Sequence, residues 1–360
     1  MLTQRQRVHA SIRRSGFDAL PWQFDLTSLA ADRLRKYLGV ENLHQAIGDH
    51  IIMFGDVSPN APTSTDLPPD CVRSEFGTVW RRAPQDRSTG DWGGMVSYPL
   101  HDPTLAGYTF PDATISGRCA HVPDLRRKHP DHFLIASGHG LWEHGWALCG
   151  FENYLGYVLS DQAFVEQVTD KLADFSCAAT AQLKGMGIDG IRFGDDWGFQ
   201  DRLMIPPDLW RKIFKPRYRR IFDAARAANL VVMMHSCGHL TEILPDLIDI
   251  GLQVLHPLQP EAMDVQYCHH HFGQDLSFWG ALGSQSTLAI GTPADCRREA
   301  QHRLSLFHSG GYILAPAGAA PTETPPENLA AIVELAQSQL SRAGDPTGGL
   351  PPTQPKLIST

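Results

Sequence analysis

Leu230-Val231-Val232-Met233-Met234-His235-Ser236-Cys237-Gly238 reads as a buried strand that ends in an imidazole, a thiol and a turn. A stretch of helical period lies on either side. Pro207 to Ala228 precedes it, opened by the start signal Pro206-Pro207-Asp208, and Thr241 to about Ile250 follows it. An apolar strand between two helices is the unit of a parallel sheet covered on both faces. In extended backbone, residues i and i+2 share a face, so His235 and Cys237 can meet one ion. Thiolate with imidazole suits zinc better than a hard cation. Two ligands are not a site, and a buried His and Cys at a strand-to-loop junction would leave the same pattern.

Working outward, the same rhythm recurs. Further strands are expected at Phe133-Leu134-Ile135-Ala136, Ile188 to Phe193, Val254-Leu255-His256, Ser277 to Gly280 and Tyr312 to Ala315. Helical stretches run from Glu152 to about Leu183, from Pro293 to His308 and from Pro326 to about Ser341. Two early candidates, Leu20 to Phe24 and Ile51 to Phe54, bring the strands to about eight. The expected fold is therefore α/β, a single distorted (β/α)₈ TIM barrel. No Gly-x-Gly-x-x-Gly or P-loop stretch follows the early strands, which removes the main support for a dinucleotide or nucleotide fold. Residues 58–131, rich in Pro, Gly, Asp and Trp, form an irregular insertion with hairpins expected near Val79-Trp80-Arg81 and Met95-Val96-Ser97. The barrel is expected to span 1–343, with a disordered Pro/Gly-rich tail over 344–360.

Composition narrows the function classes. An apolar content of 42% supplies a large core, and a formal net charge of -8 without a Lys/Arg stripe argues against a nucleic-acid partner. The seven cysteines are scattered and lack CxxC pairs, as expected of a reducing compartment. No apolar run reaches spanning length, so a cytoplasmic protein off the membrane is expected. The basic segment Arg5 to Arg14 reads as a short helix with Val8 and Ile12 on one face.

Barrel chemistry sits where strands end. Here those ends carry His139; Asp195 and Asp196; His235 and Cys237; His256 with Gln259; and Ser284 with Gln285. Their convergence on one mouth favours a metal site. Asp195-Asp196 offers a metal ligand and a proton acceptor, or alternatively an acidic helix cap. Trp142-Glu143 lies in a loop expected to line the mouth, or in an ordinary amphipathic helix. His139, Glu143, His256, Gln259 and Gln285 are the expected substrate-facing groups. Cys268-His269-His270-His271 precedes Phe272-Gly273 and reads better as a solvated helix end on the opposite rim.

Several motifs together carry a family likeness: Gly194-Asp195-Asp196-Trp197-Gly198, Pro207-Asp208-Leu209-Trp210 with Lys215-Pro216-Arg217-Tyr218, and His235-Ser236-Cys237-Gly238. Leu244-Pro245-Asp246-Leu247-Ile248, Pro257-Leu258-Gln259-Pro260 and Gly310-Gly311-Tyr312-Ile313-Leu314-Ala315-Pro316 extend it. The set resembles the uroporphyrinogen decarboxylase superfamily, nearest its branch of zinc-dependent corrinoid methyltransferases of the methylcobalamin:coenzyme M type. The resemblance covers most of residues 130–340 and implies a distorted (β/α)₈ barrel.

For the methyltransferase branch it implies zinc on His235 and Cys237, and a corrinoid carried by a partner protein. The substrate would be a small thiol or methoxylated methyl donor or acceptor, and a homodimer is compatible. The family's third ligand falls within Ala317-Gly318-Ala319, where this chain has neither Cys nor His. Either a carboxylate such as Asp196 or Glu143 completes the site, or the barrel works without zinc. For the decarboxylase branch the resemblance implies Asp56 as the group contacting pyrrole nitrogens. Pro21-Trp22-Gln23-Phe24-Asp25 stands where that branch has an Arg-rich carboxylate-binding loop, which makes decarboxylation the second reading. A non-catalytic barrel that binds a small ligand is the third.

Overall fold

The computed structural model describes residues 1–55, 67–82 and 92–343. Ten strands run in chain order: β1 (Ile51–Phe54), β2 (Cys71–Arg73), β3 (Val79–Arg82), β4 (Trp92–Ser97), β5 (Phe133–Gly138), β6 (Gly190–Gly194), β7 (Val231–His235), β8 (Val254–Leu258), β9 (Ser277–Leu282) and β10 (Tyr312–Pro316). Seven of them form one parallel sheet in the order β1-β5-β6-β7-β8-β9-β10. Helices lie between successive strands, and the sheet curls in a TIM-barrel-like arrangement.

The expected strand over 20–24 is not one. Trp22 makes a single bridge to Leu314, while Leu314 N donates to Pro21 O and Gln23 N to Leu314 O. On the other side His50 N donates to Trp22 O, so this short stretch touches both edges of the sheet. Pro21 has no amide hydrogen, and Phe24 N is taken by the Asp49 carboxylate at 2.9 Å, so no ladder can lengthen in either direction.

β2, β3 and β4 form a separate antiparallel sheet between β1 and β5, where hairpins were expected. Asp56, residues 58–66 and 83–91 of the expected insertion and the tail from 344 lie outside the described residues. The expected long helix after β5 is broken into Trp142–Cys149, Phe151–Ser160 and Gln162–Ala181. Asp161 causes the second break by capping Phe164 N with its side chain. The helix expected from Pro207 contains a π turn at Trp210–Phe214, just ahead of Pro216, which cannot donate an intrahelical bond.

The N-terminal helix Gln4–Ile12 packs across one end of the curled sheet. It is held by a Thr3/Gln6 capping box, and its Val8 and Ile12 pack with Ile51, Phe133, Ile135, Met233, Val254, Trp279 and Ile313. The other end stays polar. Among the described residues no helix is long and apolar enough to cross a membrane.

Candidate metal centre

At the C-terminal ends of β6 and β7 two loops are fastened together. Gly198 N donates to Cys237 O at 3.3 Å and His239 N to Phe199 O at 2.8 Å. Gly238, at φ +85, makes this approach possible, because a Cβ there would meet Gly198 O at 2.3 Å. Trp197 N donates to the buried Ser236 hydroxyl at 3.0 Å, and Cys237 N to Asp196 Oδ1 at 2.8 Å. Trp197 is fully buried against Trp142, Trp210, Phe214 and Tyr218. Removing its side chain would cost about 3–5 kcal/mol. Its burial leaves neighbouring Asp196 little freedom of position.

The result is a compact donor set. Ligand atoms of Asp196, His235 and Cys237 lie within 4.8 Å of one another. His235 Nε2 stands 3.5 Å from Asp196 Oδ1 and 3.6 Å from Cys237 Sγ. Around a tetrahedral zinc, with bonds of about 2.0–2.3 Å, ligand atoms stand roughly 3.3–3.6 Å apart. Both observed edges have that length. The His235 and Asp196 side chains keep 28% and 36% of their exposure, so a fourth, open position would face solvent, as in catalytic rather than structural zinc sites. The residues present fit the ion. Of the two carboxylates weighed as a substitute for the missing third ligand, Asp196 and Glu143, it is Asp196 that stands with His235 and Cys237.

Burial and neighbouring charges perturb the ionisable groups around the donor set. Burial, with Asp196 and Glu143 nearby, pushes the Cys237 thiol up to about 12. Burial and the Asp196 charge raise the Glu143 carboxyl to about 7. Burial and the Arg192 cation lower His235 to about 4, so its ring is neutral and able to ligate.

Other expected residues take varied places. Asp195 is fully buried, its carboxylate accepting N–H groups of Leu141, Trp142 and Glu143 and the Tyr218 hydroxyl. It thereby caps the helix Trp142–Cys149 and sits behind the donor set rather than in it. His256, also buried, places Nδ1 2.8 Å from His235 Nδ1. Gln259 Oε1 accepts Gly238 N at 2.9 Å and so supports the ligand loop. Gln285 is exposed and bonded to Gln200. His139 lies apart from the three donors, among Phe76, His144 and Phe175, 3.9 Å from Glu75. His270 and His271 are exposed in the last turn of Val265–Phe272, on the rim where β9 begins.

Sequence reasoning missed Arg192 and Tyr218. Arg192 lies in β6 with its guanidinium over the Trp279 ring, 5.6 Å from the centroid, and NH1 3.3 Å from His256 Nδ1. A lone charge inside the run Gly190-Ile191-Arg192-Phe193-Gly194 was the available signal. Tyr218 stood in the motif Lys215-Pro216-Arg217-Tyr218, but a mid-helix tyrosine gave no sign of its role.

The sequence pattern of the uroporphyrinogen decarboxylase (URO-D) family matches residues 125–339. A methylcobamide:CoM methyltransferase MtaA of Methanosarcina barkeri is 25% identical over 186 residues, covering 52% of each chain. A methylated-thiol–coenzyme M methyltransferase of Methanosarcina mazei is 23% identical over 186 residues, 52% of this chain and 48% of its own. The chain thus spans about half the length of these two curated relatives. A solved methyltransferase from Methanosarcina mazei shares the fold at TM-score 0.69 and 18% identity, over 94% of this chain and 99% of that one. Since the family pattern spans more than half of its 360 residues, the protein belongs to the uroporphyrinogen decarboxylase family.

Proposed function

We propose that this protein transfers a methyl group between a corrinoid, carried by a partner protein, and a small thiol or methoxylated compound. The single observation that carries this reading is the Asp196–His235–Cys237 donor set, with zinc-like edges of 3.5 and 3.6 Å and an open side. Similarity to proteins named as methylcobamide and methylated-thiol methyltransferases supports it. Zinc bound by these three residues would lower the pKa of an acceptor thiol and so favour the nucleophilic thiolate. Asp196 supplies the ligand that relatives of the methyltransferase type would place near Gly318. Asp195 serves as the anchor that sets the backbone on which Asp196 stands. Gln259 holds the His235–Gly238 loop in register.

Purified, metal-replete protein tests the reading. Near one zinc per chain should be retained, and methylcobalamin should lose its methyl group in the presence of a small thiol, followed by the corrinoid absorbance change. Protein that retains no zinc and demethylates no methylcobalamin with any thiol would overturn it. Metal-independent loss of CO₂ from a porphyrinogen would instead favour the decarboxylase reading through Asp56.

A further inference from the structure

Beneath the donor set lies a chain of nitrogen contacts. Arg192 NH1 approaches His256 Nδ1 at 3.3 Å, and the same Nδ1 lies 2.8 Å from His235 Nδ1. A guanidinium can only donate. His256 Nδ1 therefore carries no hydrogen and accepts from Arg192. Two bare ring nitrogens would repel at 2.8 Å, so His235 Nδ1 must carry the hydrogen that joins it to His256. A neutral imidazole holds one N–H, and Nε2 of His235 is left with a lone pair. That is the atom standing 3.5 Å from Asp196 Oδ1 and 3.6 Å from Cys237 Sγ.

His256 is itself held. Its ring packs on Trp279 at 4.4 Å between centroids, its residue is 1% exposed, and its backbone O accepts Ser236 N at 2.7 Å. Metal-bound histidines usually give their second N–H to a carboxylate or a carbonyl. Here the acceptor is another histidine, and the half-buried Arg192 cation dictates its tautomer.

We infer that Arg192 and His256 are positioning residues that lock His235 as the Nδ1–H tautomer, with its Nε2 lone pair aimed at the Asp196–Cys237 side before any metal arrives. This rests on the reading of Asp196, His235 and Cys237 as metal ligands. It adds that the ligand set is preorganised by a cation below it, so the polar layer under the site serves metal capture rather than substrate contact.

The experiment uses metal-free protein labelled with ¹⁵N-histidine. Long-range ¹H–¹⁵N correlation, assigned with His235→Gln and His256→Asn, should show His235 protonated at Nδ1 and His256 at Nε2. His235 protonated at Nε2 overturns the inference. Zinc affinity, measured by competition with a chromophoric chelator, should fall roughly 10–100-fold in His256→Phe. His256→Asn should recover most of the loss, because its carbonyl oxygen offers an acceptor near the position of Nδ1. A folded His256→Phe with unchanged zinc affinity also overturns the inference. Should that variant fail to fold, the wild-type spectrum and His256→Asn decide. Wild-type protein that shows the tautomer but binds no zinc would count against the metal reading alone.

Discussion

Asp189 and Asp196 flank the two ends of β6. Asp189, at the helix-covered end, has a side chain 1% exposed and is gripped by Arg5 at 2.7 Å, Arg126 at 2.6 Å, His9 at 3.2 Å and the Leu134 amide at 2.9 Å. Asp196, at the open end, keeps 36% of its side-chain exposure and faces His235 and Cys237, with the Glu143 carboxyl nearby. One carboxylate has its counter-charges built into the chain. On the proposed reading, the other stands among ligands that await a metal cation. Elements that hold a fold together satisfy their polar groups internally, whereas a site leaves some unsatisfied until a ligand binds.

The comparison breaks most visibly at Cys237. Cys237→Ser should lose zinc and lower methyl transfer on the order of 10³-fold, about 4 kcal/mol of transition-state stabilisation. Compared metal-free with metal-free, its urea-unfolding stability should move by less than about 1 kcal/mol. Metal analysis, a methylcobalamin assay and a denaturation curve read the three quantities. A variant that keeps both metal and turnover would place the chemistry elsewhere.

At the helix-covered end the expected pattern is inverted. Asp189→Ala removes the acceptor shared by Arg5, Arg126 and His9 and should cost about 3 kcal/mol, the low end for a broken buried pair because Arg5 can return to water. Zinc affinity of the folded variant should stay at the wild-type value. A comparable loss of zinc affinity would mean that the two ends are coupled.

The smallest effect is one of acidity. Burial pushes the Asp189 carboxyl up, but hydrogen bonds from His9, Leu134 N and Arg5, with the Arg5 charge, outweigh it and hold the group below its ordinary value. Its contribution is therefore whole above the unfolded carboxylate value of about 4 and is lost as pH falls below that. The stability gap between wild type and Asp189→Asn should be level from about pH 8 to pH 5 and narrow below about pH 4. A gap that widens on acidification would reverse the assignment.

Much of this was legible in the chain. Strands β5 to β10 lie within a few residues of their expected runs, because apolar content and turn residues report burial locally. That His235 and Cys237 would share a face was read from spacing, since alternation along extended backbone is a property of the strand itself, but the pair alone did not make a site. Residues 20–24 misled, because an apolar run does not reveal whether its amides will meet a ladder. Asp195 and Asp196 could not be told apart by sequence. One turns into the helix Trp142–Cys149 and the other toward Cys237, a difference set by where Tyr218 and the Leu141–Glu143 amides stand.

By itself, then, the sequence determined the α/β alternation, the family and the His-x-Cys pair, all of which depend on local period and residue type. The tertiary structure alone decided that Asp196 joins that pair and that Arg192 and His256 lie beneath it. Those contacts join residues 21 to 64 positions apart, brought together by neighbouring parallel strands whose register no local pattern encodes.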